Sequence, residues 1–174
     1  MSESIIRDFI TNKIEFDIEN KPYCVMIGIT PSTGARSPML WNHTLKVLNQ
    51  EQRMVCLDVP NRENLKKIYN ELKKNNFCLG GAITAPYKED WFHLCDEKTN
   101  LASSTQTCNN FYMINNQFMC DNTDGKGFIR SIKNNIDNCK IEQIILLGGG
   151  GVSKALVSSL SNEYNEEIDI LWAS

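Results

Sequence analysis

The stretch that decides the fold is Gln143-Ile144-Ile145-Leu146-Leu147-Gly148-Gly149-Gly150-Gly151. An apolar run typical of a strand ends in four glycines, and a helix-forming segment begins at Gly151. The glycine at 148 permits a tight turn, and the glycine at 150 lets backbone amides approach a phosphate. The helix N-terminus adds partial positive charge. This order predicts a dinucleotide site, with a glycine-rich turn that binds nothing as the alternative.

The segments before this turn alternate between strand-like and helix-like patterns. Strands are predicted over Tyr23–Ile29, Arg53–Val59 and Phe77–Thr84, and a hairpin is predicted over Thr107–Cys120. The alternation predicts an α/β fold: a mainly parallel-sheet substrate-binding domain, followed by the first βαβ unit of a Rossmann-type dinucleotide-binding domain. We expect a polar lead-in over 1–21, the substrate-binding catalytic domain over 22–136 and the start of a truncated nucleotide domain over 137–174. The boundary is expected in the helix at 124–136 or in the polar stretch at 134–140.

Several residues mark helix starts. Ser37, followed by a proline, predicts a helix N-cap, because proline needs no amide hydrogen bond in the first turn. Pro86 predicts the start of a helix that contains Lys88, and a short helix is expected over Lys98–Ser104. Asp124 predicts the start of the helix that precedes the second unit.

The composition is that of an ordinary globular protein, with 41% hydrophobic and 22% charged residues and a formal net charge of -3. The lysine pairs at 66–67 and 73–74 lie on one solvated helix face, so no basic surface for nucleic acid is expected. The longest apolar runs are far shorter than a membrane span. The N-terminus is neither a secretory signal nor an Arg-rich transit peptide. These features predict a cytoplasmic protein.

Seven cysteines are present, an odd number without a Cys-x-x-Cys pair, and several lie in strand-like apolar runs. This pattern favours reduced, buried thiols over disulfides or zinc ligands. His43 and His93 lie on separate helical segments without ligand spacing, so no metal site is predicted.

The chain ends one strand after the glycine turn. A doubly wound domain needs several more strands to enclose a dinucleotide. We therefore expect the sequence to be part of a longer protein, and to be inactive and weak in cofactor binding when alone. The residue that recognises the adenosine ribose lies about 20 residues or slightly more past the glycines. We expect it just beyond Ser174.

Two candidate catalytic residues precede the glycine turn. The Lys88 ammonium can donate a proton and stabilise an oxyanion, and the Asp124 carboxylate can hold and orient that ammonium. Taken singly, a surface lysine and a helix-capping aspartate are the more ordinary interpretations. Combined with the glycine turn, they suggest hydride transfer to or from a carbonyl, with both residues handling the proton.

Five segments together carry a specific pattern. They are Arg36–Asn42, Gly81–Glu89, Cys108-Asn109, Asp121–Gly125 and Leu147–Ser153. The fourth reads Asp-Asn-Thr-Asp-Gly and is identical to a motif of the shikimate dehydrogenase family. The others resemble, in order, that family's Ser-Lys/Arg-Ser-Pro loop, its Asn-Val-Thr-Val-Pro-Phe-Lys segment, its Val-Asn-Thr and its glycine turn. The chain resembles this family from residue 28 to residue 174.

The resemblance implies an NADP-dependent oxidoreductase, with NAD as the alternative cofactor. In the family an arginine that pairs with the 2′-phosphate follows the second strand. The implied reaction interconverts 3-dehydroshikimate and shikimate, a small cyclic hydroxy acid, in chorismate and aromatic amino-acid biosynthesis, by a monomer or a homodimer. The implied site residues are Lys88 and Asp124 for catalysis, Ser37, Thr84 and Asn109 for substrate, and Gly148, Gly150, Gly151, Val152 and Ser153 for cofactor.

Three positions depart from the family pattern. Ala35 stands in place of a serine in a loop that is one residue longer, Ala82 in place of an asparagine, and Asn110 in place of a threonine. Losing a hydroxyl and an amide changes the hydrogen bonds by which such a site selects its substrate. Candidates to replace the lost contacts are Ser32, Thr33 and Arg36.

These departures leave alternatives to the shikimate reaction. One is a quinate or aminoshikimate dehydrogenase, or a related paralogue that acts on another cyclic hydroxy acid. A second is a non-catalytic binding protein with the same fold. The presence of both Lys88 and Asp124 argues against the second alternative.

Overall fold

The computed structural model describes residues 5–136, 142–164 and 168–173. The first part of the chain forms a six-stranded mixed sheet. Its strands are β1 (Tyr23–Gly28), β2 (Arg53–Asp58), β3 (Cys78–Ile83), β4 (Glu97–Lys98), β5 (Asn110–Ile114) and β6 (Gln117–Asp121). Their order across the sheet is β2-β1-β3-β5-β6-β4. Three of the five pairings are parallel. The predicted α/β fold with a mainly parallel sheet is confirmed.

Helices connect the strands. They are α1 (Pro31–Gly34), α2 (Ser37–Val47), α3 (Leu65–Lys74), α4 (Lys88–Leu94), α5 (Asn100–Thr105), α6 (Asp124–Ile136) and α7 (Gly151–Tyr164). Short 3-10 turns lie at Ile5–Phe9 and Arg62–Asn64. No helix among the described residues combines the length and the apolar character that crossing a membrane requires.

The second unit is the predicted βαβ. Strand β7 (Gln143–Leu147) leads into α7 and then into β8 (Asp169–Ala173), and the two strands pair in parallel. Helix α6 packs beside α7 and shares a small apolar core with it, which includes Ile129 and Leu160. Most of the predicted boundary stretch at 134–140 lies outside the described residues.

Residues 5–21 pack against the rest of the sheet unit. Ile6, Ile14 and Ile18 are at most 5% exposed and belong to the main core. The Thr11 amide donates a hydrogen bond to the Asp58 carbonyl at 2.9 Å. The prediction of a polar lead-in is therefore wrong for the described part of this segment. Phe9, Ile10 and Phe16 of the same segment also pack against this core.

Three helix starts differ from prediction. Helix α2 begins at Ser37, so the cap position falls on Arg36, and no side-chain cap hydrogen bond is present there. Pro86 lies in the turn before α4 rather than in the helix. Helix α5 starts two residues late because Thr99 has an extended backbone and its hydroxyl accepts the Ala102 amide at 3.1 Å. In each case the exact backbone conformation overrides the residue-type preference.

An aromatic cluster anchors α4 on the sheet. The Trp91 ring lies 4.9 Å from the Phe111 ring, which lies 4.9 Å from the Phe118 ring. The Tyr69 ring from α3 completes the group, 5.4 Å from Phe118 and 5.7 Å from Trp91. Trp91 is fully buried. Because the rings hold α4 in place, they also fix the position of the residue at its N-terminus, Lys88.

Candidate active site

Lys88 and Asp124 form an ion pair. Lys88 is the first residue of α4, and Asp124 is the first residue of α6. The Lys88 Nζ donates a hydrogen bond to Asp124 Oδ2. The two side chains are 13% and 24% exposed, so the pair is shielded from bulk water but still open to a ligand. The predicted contact between these side chains is confirmed.

Asn109 holds the other oxygen of the aspartate. Its Nδ2 donates to Asp124 Oδ1 at 2.7 Å. Its Oδ1 accepts the Thr123 amide at 3.0 Å and the Asn110 side-chain amide at 2.6 Å. Because a backbone N–H can only donate, this contact fixes which end of the Asn109 amide is oxygen. Both carboxylate oxygens of Asp124 are therefore held, and its orientation is set.

Asn122 holds the backbone of Asp124 in place. It is fully buried, and its Oδ1 accepts the Asp124 amide at 3.1 Å. Its Nδ2 donates to the Thr107 hydroxyl at 2.5 Å. The Asn122 side chain thus accepts a hydrogen bond from a backbone amide that has no partner within α6. Its second hydrogen bond links the turn before α6 to Thr107, which precedes β5. Sequence reasoning missed this role, although the residue lies inside the Asp-Asn-Thr-Asp-Gly motif.

The glycine turn lies between β7 and α7. Gly148 has a φ of 121°, a conformation that L side chains rarely adopt. Its amide donates to the Ala173 carbonyl at 2.8 Å, and its carbonyl accepts Trp172 Nε1 at 2.7 Å. A Cβ placed at Gly150 would have no heavy atom within 4 Å. The turn is therefore anchored on β8 and open on its other side, which suits the approach of a phosphate to backbone amides.

Lys88 of the ion pair and the glycine turn share a cleft of about 460 Å³. Its lining residues are Thr84, Ala85, Pro86, Lys88, Glu89, Gly150, Gly151 and Val152. A Cβ at Gly151 would lie 3.5 Å from the Cβ of Lys88 and 3.0 Å from a Thr107 methyl. Lys154 of α7 also donates to Glu89 of α4 at 2.7 Å. The exposed turn, the N-terminus of the 14-residue α7 and this cleft fit the pyrophosphate and the reacting end of a dinucleotide.

The other predicted substrate residues line neighbouring cavities. Ser37 and Asn109 line one cavity of about 450 Å³, together with Ala82 and Asn110. Thr84 lines the Lys88 cleft and also a third cavity of about 400 Å³ that includes Ala35 and Arg36. Of the predicted cofactor residues, Gly150, Gly151 and Val152 line the Lys88 cleft, whereas Gly148 and Ser153 do not.

The three candidates for replacing the lost family contacts differ in what they already bind. The Ser32 hydroxyl donates to Asp58 at 2.5 Å, and its amide donates to the same carboxylate at 2.9 Å. The Thr33 hydroxyl donates to the Thr30 carbonyl at 3.1 Å. Within the described part of the chain, the Arg36 side chain is exposed and makes no hydrogen bond or ion pair. Of the three, only Arg36 is free to receive a ligand.

Comparison with known proteins identifies the family. The sequence profile of the shikimate dehydrogenase substrate binding domain matches residues 29–111. A shikimate dehydrogenase (NADP(+)) of Prochlorococcus marinus (strain MIT 9515) is 32% identical over 154 residues, which are 87% of this chain and 52% of that protein. The chain thus spans about half the length of this curated relative.

Solved structures agree in fold. A crystal structure of a shikimate dehydrogenase in complex with NADP+ has a TM-score of 0.77 at 24% identity, over 88% of this chain and 51% of that one. A quinate dehydrogenase from Corynebacterium glutamicum, in complex with NAD, has a TM-score of 0.75 at 21% identity, over 87% and 55%. At these identities the likeness establishes the fold alone. Taken with the sequence matches, it shows that this chain belongs to the shikimate dehydrogenase family, over the N-terminal portion of its members.

Proposed function

We propose that the chain is the N-terminal portion of a cytoplasmic, NADP-dependent shikimate dehydrogenase, which interconverts 3-dehydroshikimate and shikimate in chorismate biosynthesis. We assign residues 22–136 to the substrate domain, with the packed part of the lead-in, and residues 137–174 to the start of the nucleotide domain. The observation that carries the proposal is the Lys88–Asp124 ion pair, whose lysine lines a cleft together with the glycine turn.

Lys88 handles the proton in this proposal. Reduction of the substrate ketone places negative charge on its oxygen, and an ammonium beside that oxygen stabilises the charge and then donates a proton to it. Lys88 is left neutral and regains its proton from solvent. In the reverse direction, neutral Lys88 accepts the hydroxyl proton as the carbonyl forms.

Asp124 orients the lysine and binds a substrate hydroxyl. Its two oxygens are held by Lys88 and by Asn109. A carboxylate retains lone pairs beyond these two contacts, so it can also accept a hydrogen bond from a hydroxyl next to the reacting carbon. The Asn109 amide, aligned by Thr123 and Asn110, reaches the same region.

The nicotinamide cofactor, when bound, supplies or accepts the hydride. In this chain the amides at Gly150 and Gly151 would receive the pyrophosphate, and Val152 would line the reacting end of the cleft. Gly148, whose own amide is bonded to the Ala173 carbonyl, would contribute by shaping the turn. The preference for NADP over NAD rests on the family resemblance and on the similarity to the NADP(+)-dependent shikimate dehydrogenase of Prochlorococcus marinus.

Arg36 is the candidate for binding the substrate carboxylate, beside Ser37 and Thr84. A guanidinium pairs with a carboxylate through two parallel hydrogen bonds. Arg36 lines a cavity with Thr84 and has no polar partner among the described residues. It would thereby offset the hydroxyl and the amide that are lost at Ala35 and Ala82.

The second candidate is quinate oxidation. It is favoured by the two alanines, Ala35 and Ala82, that alter the hydrogen bonds of the site. Both candidates use the same proton chemistry at Lys88, so they differ only in the ring that the pocket accepts.

The test is a substrate and cofactor panel on the full-length protein. Purified enzyme is incubated with shikimate or quinate and with NADP+ or NAD+, and kcat/KM is measured from the reduced nicotinamide absorbance. We expect the highest kcat/KM for shikimate with NADP+. A higher value for quinate would select the second candidate, and no reduction with either acid would contradict both.

A further inference from the structure

Three cysteines meet in the core of the substrate unit. Cys95, Cys108 and Cys120 are all at most 4% exposed, and their Sγ atoms all lie within 4.8 Å of one another. All three are free thiols. They are separated by 13 and 12 positions in the sequence, so their spacing does not match a local metal-ligand motif and does not predict the cluster.

The trithiol cluster lies on the segments that carry the active-site residues. Cys95 directly follows α4, which begins at Lys88. The Cys108 amide donates to the Lys88 carbonyl at 2.9 Å. Cys108 is adjacent to Asn109, and Cys120 belongs to β6, the strand that leads to Asp124. The cluster therefore joins three segments that backbone hydrogen bonds also connect, from the Cys108 amide to the Lys88 carbonyl and from the Asn109 amide to the Asp121 carbonyl.

Its surroundings suit a cation with a small number of sulfur ligands. An ion with metal–sulfur bonds of about 2.3 Å in trigonal geometry needs its sulfurs roughly 4 Å apart, within reach of the observed spacing. Among the described residues, no other cysteine, histidine or carboxylate joins the group. The Lys98 Nζ donates to the Cys95 carbonyl at 2.8 Å. An ammonium there offsets negative charge on the thiolates.

We propose that Cys95, Cys108 and Cys120 form a trithiolate site for one soft, thiophilic metal ion, with Cu+ as the preferred ion. Thiolates select soft ions such as Cu+, and closed structural Zn2+ sites have four ligands. On binding, each thiol loses its proton to solvent and its sulfur lone pair forms the bond to the metal. No electron is transferred, so no oxidant or reductant is required. This site is separate from the proposed dehydrogenase chemistry.

The test is a metal titration of the reduced, metal-free, full-length protein under anaerobic conditions. Cu+ is delivered in competition with a chromogenic Cu+ chelator, and the bound ion is studied by X-ray absorption. We expect one tightly bound equivalent that is lost in Cys120→Ala and Cys108→Ala and retained in Cys56→Ser, a control outside the cluster. We expect three sulfur neighbours around the ion. Zn2+ should bind at least tenfold more weakly than Cu+.

Three outcomes would overturn the proposal. These are the absence of a tight Cu+ equivalent, a sulfur count of two or four, and undiminished Cu+ binding by folded Cys120→Ala. Circular dichroism establishes whether each variant is folded. If the cluster variants fail to fold, the proposal is still tested by the number of sulfur neighbours around Cu+ in the unmodified protein and by whether Cys56→Ser retains the bound Cu+.

Discussion

Gly125 lies so close to Ser159 that a Cβ at residue 125 would be 2.0 Å from the Ser159 hydroxyl oxygen. The same Cβ would be 2.3 Å from the Ala155 carbonyl. Gly125 is the second residue of α6, next to Asp124, and both contacts belong to α7. This close approach of two helix backbones sets the distance between the ion pair and the glycine turn.

Substitution of Gly125 should separate these helices. We expect Gly125→Ala to lower the free energy of unfolding by roughly 1–3 kcal/mol, the usual range for overpacking. In the full-length enzyme it should also raise KM for the cofactor, because α7 carries the glycine turn. Chemical denaturation and steady-state kinetics measure the two effects.

Gly127 provides the matched control. It lies in the same helix, and a Cβ there meets nothing within 4 Å. Gly127→Ala should leave KM unchanged and stabilise the protein by about 0.5–1 kcal/mol, because alanine loses less backbone entropy in a helix. Equal behaviour of the two variants would refute the close-contact argument.

Removal of the Lys88 side chain should abolish proton transfer to and from the substrate oxygen. In the full-length enzyme we expect Lys88→Ala to lower kcat by two orders of magnitude or more, the range typical of general acid–base residues. Cofactor affinity, measured by fluorescence titration, should stay nearly unchanged. Lys66→Ala, at an exposed lysine of α3, is the control and should have ordinary kinetics. Near-normal turnover in Lys88→Ala would remove this residue from the mechanism.

Arg36 should act on substrate binding rather than on the chemical step. We expect Arg36→Met to raise KM for shikimate about tenfold or more, as loss of a charge-assisted pair does, with kcat little changed. Lys46→Met removes an exposed cation from α2, the helix that Arg36 precedes, and should change neither constant. A drop in kcat without a change in KM would contradict a binding role.

Asp96 should make stability depend on pH. Burial raises the pKa of its carboxyl, but hydrogen bonds from Lys73, the Phe118 amide and Tyr69 outweigh burial, so the pKa lies below its ordinary value. Such a group stabilises the fold above its unfolded-state pKa of about 3.9, and the contribution is lost as the pH falls through the lower folded-state pKa.

The corresponding measurement uses Asp96→Asn. The variant should be less stable than the unmodified protein by roughly 1 kcal/mol at pH 7. The difference should shrink as the pH falls below 4, where the unmodified carboxyl loses its charge. Urea denaturation at a series of pH values measures it. A difference that is constant from pH 7 to pH 3 would show that the carboxylate charge contributes nothing.

The sequence by itself determined the features that depend on residues close together in the chain. The hairpin over Asn115-Asn116 formed as predicted, with φ values of 49° and 61°, because asparagine tolerates the left-handed conformation that a tight turn needs. The strand, glycine turn and helix from Gln143 to Tyr164 also formed as predicted. Such elements depend on local backbone preferences and on apolar periodicity, both of which can be read from neighbouring residues.

Tertiary structure alone decided what depends on residues that are distant in the chain. Lys88 and Asp124 are 36 positions apart, and their separate motifs predicted a shared role, but only the packing of α4 and α6 brings Nζ to the carboxylate. The burial of Ile6, the hydrogen bonds that occupy Ser32 and the meeting of the three cysteine sulfurs had no local signal. The burial of Ile6 and the meeting of the sulfurs arise from the free energy of excluding water across a whole core, which no short stretch of sequence specifies. The Ser32 hydrogen bonds arise because the fold brings α1 next to Asp58 at the end of β2.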